Sequence, residues 1–264
     1  MSNNSVITKQ IIHSYWKDKD DRVAKASRHH EMMNQLYGEE IEDSIRRSQI
    51  YGTPLGVLEV GQPRQKFVPT DSISAFYDSY ERGRKICILN FASYKNPGGG
   101  FMSGSSAQEE SLCHESTLYE VISADRFKEY YEWNNEHKNR ALYTDRAIYS
   151  PDIIVDREDN ILKVDMLTCA APNYSTAHRY QNITKEHNYK VLKNRMQFIA
   201  NILEEQKVEI FIGGAFGCGV FGQDPNDLVN LYQTTIWGKH LKQIIHAVPG
   251  SGENVEVFRD AFGG

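Results

Sequence analysis

The sequence predicts an α/β fold with a largely parallel sheet, and three features carry that expectation. Short apolar runs rich in Ile, Val and Leu recur at 56–60, 85–91, 147–155, 162–169, 208–213 and 243–248. Several of these are continuous rather than alternating, which suits strands covered on both faces. Helical patterns lie between the runs, and two of the runs lead straight into glycine-rich loops, as strands of an open α/β sheet do at a ligand site.

Taken in order, residues 1–50 are polar and charged with helical character. Ile7, Ile11, Ile12 and Trp16 share one rough face, and Met32, Met33, Leu36 and Tyr37 share another. The charged stretch DKDD at 18–21 reads as a break between them. This is a helical N-terminal extension of one domain spanning 1–264, not a domain of its own. Helices are expected at 108–122, at 226–241 and, most clearly, at 185–206, where Leu192, Met196, Ile199 and Leu203 step by three and four. Pro151 interrupts the run at 147–155. The stretch FKEYYEWNNEHKNR at 127–140 reads as an exposed helix or excursion, with a lid as the alternative. No internal repeat, low-complexity tract or linker is visible.

The composition, 40% hydrophobic and 25% charged over 264 residues, is that of a soluble globular chain with ample length for a core. A formal net charge of -5 leaves no global basic footprint, so direct DNA binding is not expected. Cys87, Cys113, Cys169 and Cys218 are far apart, without a CxxC pair. They read as reduced, mostly buried thiols. Neither a signal-type N-terminus nor a membrane-length apolar segment is seen, so a soluble cytoplasmic protein is expected.

The most informative stretch is LNFASYKNPGGGFMSGSSAQEESLCHESTLY, residues 89–119. An apolar run ends at Asn90. Gly98, Gly99 and Gly100 follow, then a gap, then Gln108, Glu109 and Glu110 at a helix start. Glycines let backbone approach a ligand. A glycine triplet alone is most often a plain turn, and paired acids at a helix start are most often a solvated first turn favoured by the helix dipole. Together at fixed spacing they are far more specific.

A second loop, GGAFGCGVFG at 213–222, leaves the run at 208–212 and is followed by Asp224, Pro225 and Asn226 opening a helix. Backbone N–H groups in such a loop can wrap a diphosphate. It is not a Walker loop, and its G-x-G-x-x-G match at Gly217, Gly219 and Gly222 is weak without a full βαβ unit after it. A tight strand-to-helix connection is the plain alternative, but two such loops favour a nucleotide diphosphate.

Paired carboxylates suit cleavage of a glycosidic bond, which needs an acid to protonate the departing oxygen and a base to take a proton from water, and one glutamate can do both in turn. Other chemistries find less support: there is no G-x-S-x-G, no H-E-x-x-H and no clustered Cys/His ligand set. His29 and His30 read as a surface pair, and Cys218 as a small packing residue rather than a nucleophile.

Three glycines, six to eight residues, then Gln-Glu-Glu resembles the diagnostic motif of the poly(ADP-ribose) glycohydrolases. NFAS, KNPGGGF and AQEESL are similar to the shorter bacterial type, as are VDMLTCAAPN at 164–173, YTDRAIYSPDIIV at 143–155 and FIGGAFGCGVFGQDP. The resemblance covers roughly 22–262. It implies a macrodomain-like three-layer α/β/α sandwich with a mixed, largely parallel sheet. It also implies hydrolysis of ribose–ribose O-glycosidic bonds in poly(ADP-ribose) or on ADP-ribosylated protein, with ADP-ribose as product and with neither metal nor cofactor. The resemblance puts the catalytic glutamate at Glu110, the ribose-orienting partner at Glu109 and a supporting amide at Gln108. Asn90 falls near the distal ribose, and Gly98, Gly99 and Gly100 line the first loop. Gly217, Cys218, Gly219 and Val220 surround the diphosphate, and Phe221 positions the ribose. Tyr94, bulky after NFAS, and the polar Gly104-Ser105-Ser106 depart from the family pattern. The adenine-binding residues are not placed. The alternatives are a mono-ADP-ribosyl hydrolase acting on protein or nucleic acid and a non-catalytic ADP-ribose-binding module, against which the acids argue.

Overall fold

A computed structural model describes residues 18–52, 59–157 and 160–263. The expected helical face at Ile7–Trp16 and most of the expected strand at 56–60 lie outside them. Among the described residues, seven strands form one sheet: β1 (Gln49–Tyr51), β2 (Arg64–Val68), β3 (Ile86–Phe91), β4 (Ala147–Arg157), β5 (Asn160–Cys169), β6 (Ile210–Gly213) and β7 (Gln243–Ala247), in the order β1-β4-β5-β3-β6-β7-β2. β5, β3, β6, β7 and β2 are parallel neighbours, whereas β4 runs antiparallel to both β5 and β1. The sheet is mixed and largely parallel, as expected. The short β1 and the polar β2, Arg-Gln-Lys-Phe-Val, carry too little apolar signal to be read from sequence.

Alternate side chains of each central strand enter two cores. Cys87, Leu89, Leu167 and Phe211 face one, with Leu192 and Met196 of α7 (Lys185–Glu205), Leu228 of α8 (Pro225–Thr234) and Phe258 of α9 (Glu253–Phe262). Ile86, Ile88, Met166 and Ile212 face the other, beneath α1 (Lys19–Arg47), α2 (Ser72–Ser79), α3 (Gln108–His114), α4 (Leu118–Ile122) and α5 (Lys128–Glu136). The result is the three-layer sandwich. A small satellite of Leu142, Ala177 and Ile183 ties α6 (Tyr174–Gln181) to the chain before β4.

Several local expectations change. The DKDD stretch is a helix start rather than a break: the Asp18 carboxylate accepts the N–H groups of Asp20 and Asp21 and caps α1. The expected helix at 108–122 is two helices, because 115–117 is drawn onto the half of β4 that β1 leaves uncovered. Thr117 N–H donates to Ile154 O and Asp156 N–H to Glu115 O. The helix expected to reach 241 stops at Thr234; the Thr235 backbone is extended, and Ile236 N–H and Trp237 Nε1 turn to Gln197 and Tyr232 O. Pro151 does not end its strand, which continues through a bulge between Ser150 and Ile153. The 127–140 excursion is exposed on one side only, since Phe127, Tyr130, Tyr131 and Asn134 are buried.

Candidate active site

The sheet order brings the two glycine loops together. β3 and β6 are neighbours, Cys87 beside Phe211 and Ile88 beside Ile212, so the loops leaving their carboxyl ends face each other across one groove. β7 adds Val248 and Pro249 to the same rim. The groove, about 380 Å³, is lined by Phe91 and Gln108 on one side and by Gly217, Gly219, Val220 and Phe221 on the other. It continues past Phe91 to Ser72 and Ile73. These apolar contributions from β7 and α2 escaped the sequence reading, since no spacing signal links the three segments.

Gln108 fastens the start of α3 to β3. Its Oε1 accepts Phe91 N–H at 2.8 Å, and its Nε2 donates to Leu89 O at 2.8 Å, so the amide acts as an added strand residue. That places the next two side chains beside the strand end. The Glu109 carboxylate accepts Ser93 N–H at 2.6 Å and Asn90 Nδ2 at 3.2 Å. Glu110 Oε1 accepts Gly100 N–H at 2.8 Å, and its Oε2 accepts the N–H of the N-cap residue Ala107 at 2.8 Å, the glutamate half of a capping box on its own helix. The acids are 3% and 6% exposed, so they are not the solvated first turn that adjacent glutamates usually form. Burial pushes the Glu109 carboxyl up to about 8; Glu110 adds to this, while the Ser93, Asn90 and Gly98 donors act against it.

Asn90 is fully buried. Its Nδ2 reaches Glu109 and Thr168 Oγ1, and its Oδ1 has no partner among the described residues. It thus bears directly on the Glu109 carboxylate. The glycine triplet likewise does something other than expose backbone. A Cβ on Gly98 would stand 2.6 Å from the Tyr119 ring, one on Gly99 would meet both carboxylates within 3.0 Å, and one on Gly100 would meet Ser105 Oγ at 2.1 Å. The loop folds closely over the acids.

The second loop divides its glycines differently. Gly217 and Gly222 have positive φ and no room for a Cβ, which would meet Ala171 and Ser175; a Cβ on Gly219 would meet nothing within 4 Å. Val220 is 87% exposed at the loop tip. Cys218 is half-buried, and burial pushes its thiol up to about 12, which leaves it protonated and non-nucleophilic near neutral pH.

The histidines are not a free surface pair. His29 Nε2 lies 3.0 Å from Ser116 O and His30 Nδ1 3.0 Å from Glu120 Oε1, while Arg22 Nε donates to Gly104 O at 2.7 Å. Helix α1 thereby clamps the back of the first loop and α4. Tyr94, the bulky departure, is buried. Its hydroxyl donates to His137 O, and its ring stacks on Tyr143 at 3.7 Å. Among the described residues, no group of three or more His, Cys, Asp or Glu side chains could hold a metal.

A macrodomain-like sandwich with a glycine-lined groove and two buried, fixed carboxylates directly following Gln108 in its lining defines the chain as a glycosidase of the ADP-ribosyl hydrolase kind. Its sequence says which: the chain belongs to the microbial-type poly(ADP-ribose) glycohydrolases (PARGs), whose catalytic-domain model matches residues 15–158. That match takes in the first loop and both acids but ends before the second loop. Among solved structures, the chain is similar to the poly(ADP-ribose) glycohydrolase of Thermomonospora curvata, with a TM-score of 0.80 and 25% identity over 92% of this chain and 100% of that one. The Deinococcus radiodurans enzyme in complex with ADP-ribose matches with a TM-score of 0.69 and 27% identity over 85% and 90%. No curated protein matches the sequence.

Proposed function

We propose that this poly(ADP-ribose) glycohydrolase cleaves the ribose–ribose bond with Glu110 as acid and then base. Glu109 holds the reacting ribose. One observation carries the reading: directly after Gln108, which lines the groove, both carboxylates are taken from water and fixed mainly by backbone N–H groups. Such an arrangement spends nothing on solvation and leaves the pair poised. With Glu109 pushed up to about 8 by burial, that carboxyl holds a proton near neutral pH, and a bound diphosphate favours keeping it. Delivery of that proton through Glu110 lets the ribose oxygen leave as an alcohol, and the resulting carboxylate then takes a proton from the attacking water.

The ADP portion lies in the groove, its diphosphate over Gly217, Cys218, Gly219 and Val220 and its distal ribose against Phe221. The adenosine end reaches the apolar slot at Phe91, Ile73 and Pro249. Poly(ADP-ribose) or ADP-ribosylated protein is the substrate and ADP-ribose the product. No helix among the described residues is long and apolar enough to cross a membrane, and all four cysteines are unpaired, which favours a reducing, cytoplasmic setting.

The deciding experiment is hydrolysis of poly(ADP-ribose) by Glu110→Gln and Glu109→Gln beside ADP-ribose calorimetry. Glu110→Gln should lose about a hundred- to ten-thousand-fold in turnover and still bind ADP-ribose. A Glu110→Gln protein that works near the parent rate would remove Glu110 from the role.

A further inference from the structure

A second cleft opens on the far side of Phe221 from the groove. It is about 640 Å³ and is lined by Ser93, Tyr94, Lys95, Lys138, Arg140 and Tyr143, among others, with no acidic side chain in its lining. Ser93 joins it to the acids, because the Ser93 N–H is the one that holds Glu109. Lys95, Lys138 and Arg140 are exposed and form no ion pair among the described residues. Three uncompensated cations thus gather beside the reacting centre of a chain whose net charge is -5.

The fold holds this cleft in an unusual way. Tyr94 docks the α5 excursion onto the first loop: its hydroxyl takes His137 O, its carbonyl accepts Asn134 Nδ2 at 2.9 Å, and its ring stacks on Tyr143. The chain then passes through Asn139, Arg140, Ala141 and Tyr143, all non-glycine residues with positive φ. Asn139 Nδ2 to Tyr143 O and Asn173 N–H to Ala141 O keep that backbone in place. A left-handed run of this kind persists only where its surroundings over-determine it, and such runs cluster at functional sites. Here it aims Lys138 and Arg140 at the cleft.

We propose that this cleft binds the diphosphate of the polymer unit on the leaving side of the scissile bond, an inference that rests on the glycohydrolase reading above. The groove takes the ADP-ribose unit whose ribose reacts. Beyond the bond, the next groups of the polymer are an adenosine ribose and then its 5′-diphosphate, and the cleft is the cationic surface adjoining the acids on that side. Arginine and lysine make charge-assisted hydrogen bonds to phosphate oxygens. An acidic protein segment is the competing occupant.

The test uses a ribose–ribose-linked ADP-ribose dimer, ADP-ribose and an ADP-ribosylated acidic peptide. In the Glu110→Gln protein, calorimetry should find the dimer bound more tightly than ADP-ribose, and adding K138Q and R140Q should remove that advantage without changing ADP-ribose affinity. In the otherwise unaltered enzyme, K138Q with R140Q should raise KM for the dimer about tenfold, as for losing two phosphate contacts, leave kcat nearly unchanged, and flatten the salt dependence of KM. Equal affinity for dimer and ADP-ribose, or a dimer advantage that survives both substitutions, overturns the assignment. A KM increase confined to the peptide gives the cleft to protein instead. If the unaltered enzyme fails to cleave the dimer, the function reading is what falls, and the calorimetric comparison still decides the cleft.

Discussion

Gly99 and the Glu110 carboxylate are packed so closely that a Cβ on the glycine would stand 2.5 Å from Oε1. Gly99 also has a φ of +59°, a backbone state that L-residues with a Cβ avoid. Two independent constraints therefore fall on one position. Gly99→Ala should cost about 1–2 kcal/mol in stability from the backbone alone. It should also reduce kcat by about a hundredfold or more by displacing the acid. Circular dichroism, a thermal melt and turnover measured on one preparation separate the two effects, and normal turnover would mean that the carboxylate has another way to be placed.

The second loop offers a cleaner contrast. Gly219→Val puts a branched side chain into open space, so the fold should keep its melting temperature while ADP-ribose affinity drops sharply. Gly217→Val should instead destabilise the protein, because that Cβ would stand 2.7 Å from Ala171 Cβ. Calorimetry beside thermal melts distinguishes a phosphate-facing glycine from a structural one; unchanged affinity in Gly219→Val would make this loop a plain connection. Phe221→Ala should weaken turnover more than binding.

Glu109 predicts a pH dependence with a definite sign. Its folded value, about 8, lies above the ordinary 4.5. Below 4.5 both folded and unfolded chains hold the proton. Between that and about 8 only the unfolded chain releases it, so this group removes stability as the pH rises through that window. Glu109→Gln should therefore gain in melting temperature relative to the parent between pH 5 and pH 8, even as its turnover falls. A constant or shrinking difference would mean that the carboxyl is ionised when folded.

The clamp from α1 is testable at His30. Glu120 is 5% exposed and takes its side-chain partner from that histidine. His30→Ala leaves a buried carboxyl without it and should cost about 1–3 kcal/mol in denaturant unfolding. Combining it with Glu120→Leu should recover part of the loss. A loss that the pair does not reduce would assign the effect to packing of the imidazole on Tyr119, which it meets edge-on at 5.4 Å.

Turnover should survive excess chelator, since the proposed step runs on two carboxylates and no described cluster of side chains could hold a metal. Activity lost in chelator and restored by magnesium would point to a different hydrolase mechanism.

The sequence carried the signals that are local. Continuous apolar runs marked the central strands, the three-and-four stepping marked α7, and the glycine triplet with Gln108, Glu109 and Glu110 marked the candidate site. Strands that fell short of that signal were short or polar, β1 at the sheet edge and Arg64–Val68. Helix ends were misplaced where pairing with a distant segment overrode local preference, as β4 does to 115–117.

By itself, then, the chain determined its family, its sheet-forming segments and its pair of acids, because each is written in contiguous residues whose periodicity or spacing has a physical cause. Only the tertiary structure decided that the triplet's glycines make room for carboxylates, that Asn90 holds the Glu109 carboxylate, and that Tyr94 carries a cationic cleft to the site. These depend on segments 10 to 49 residues apart in the chain that meet at the end of β3, where it lies beside β5 and β6. Burial, which raises the Glu109 carboxyl, is likewise a property of that meeting and of no single stretch of sequence.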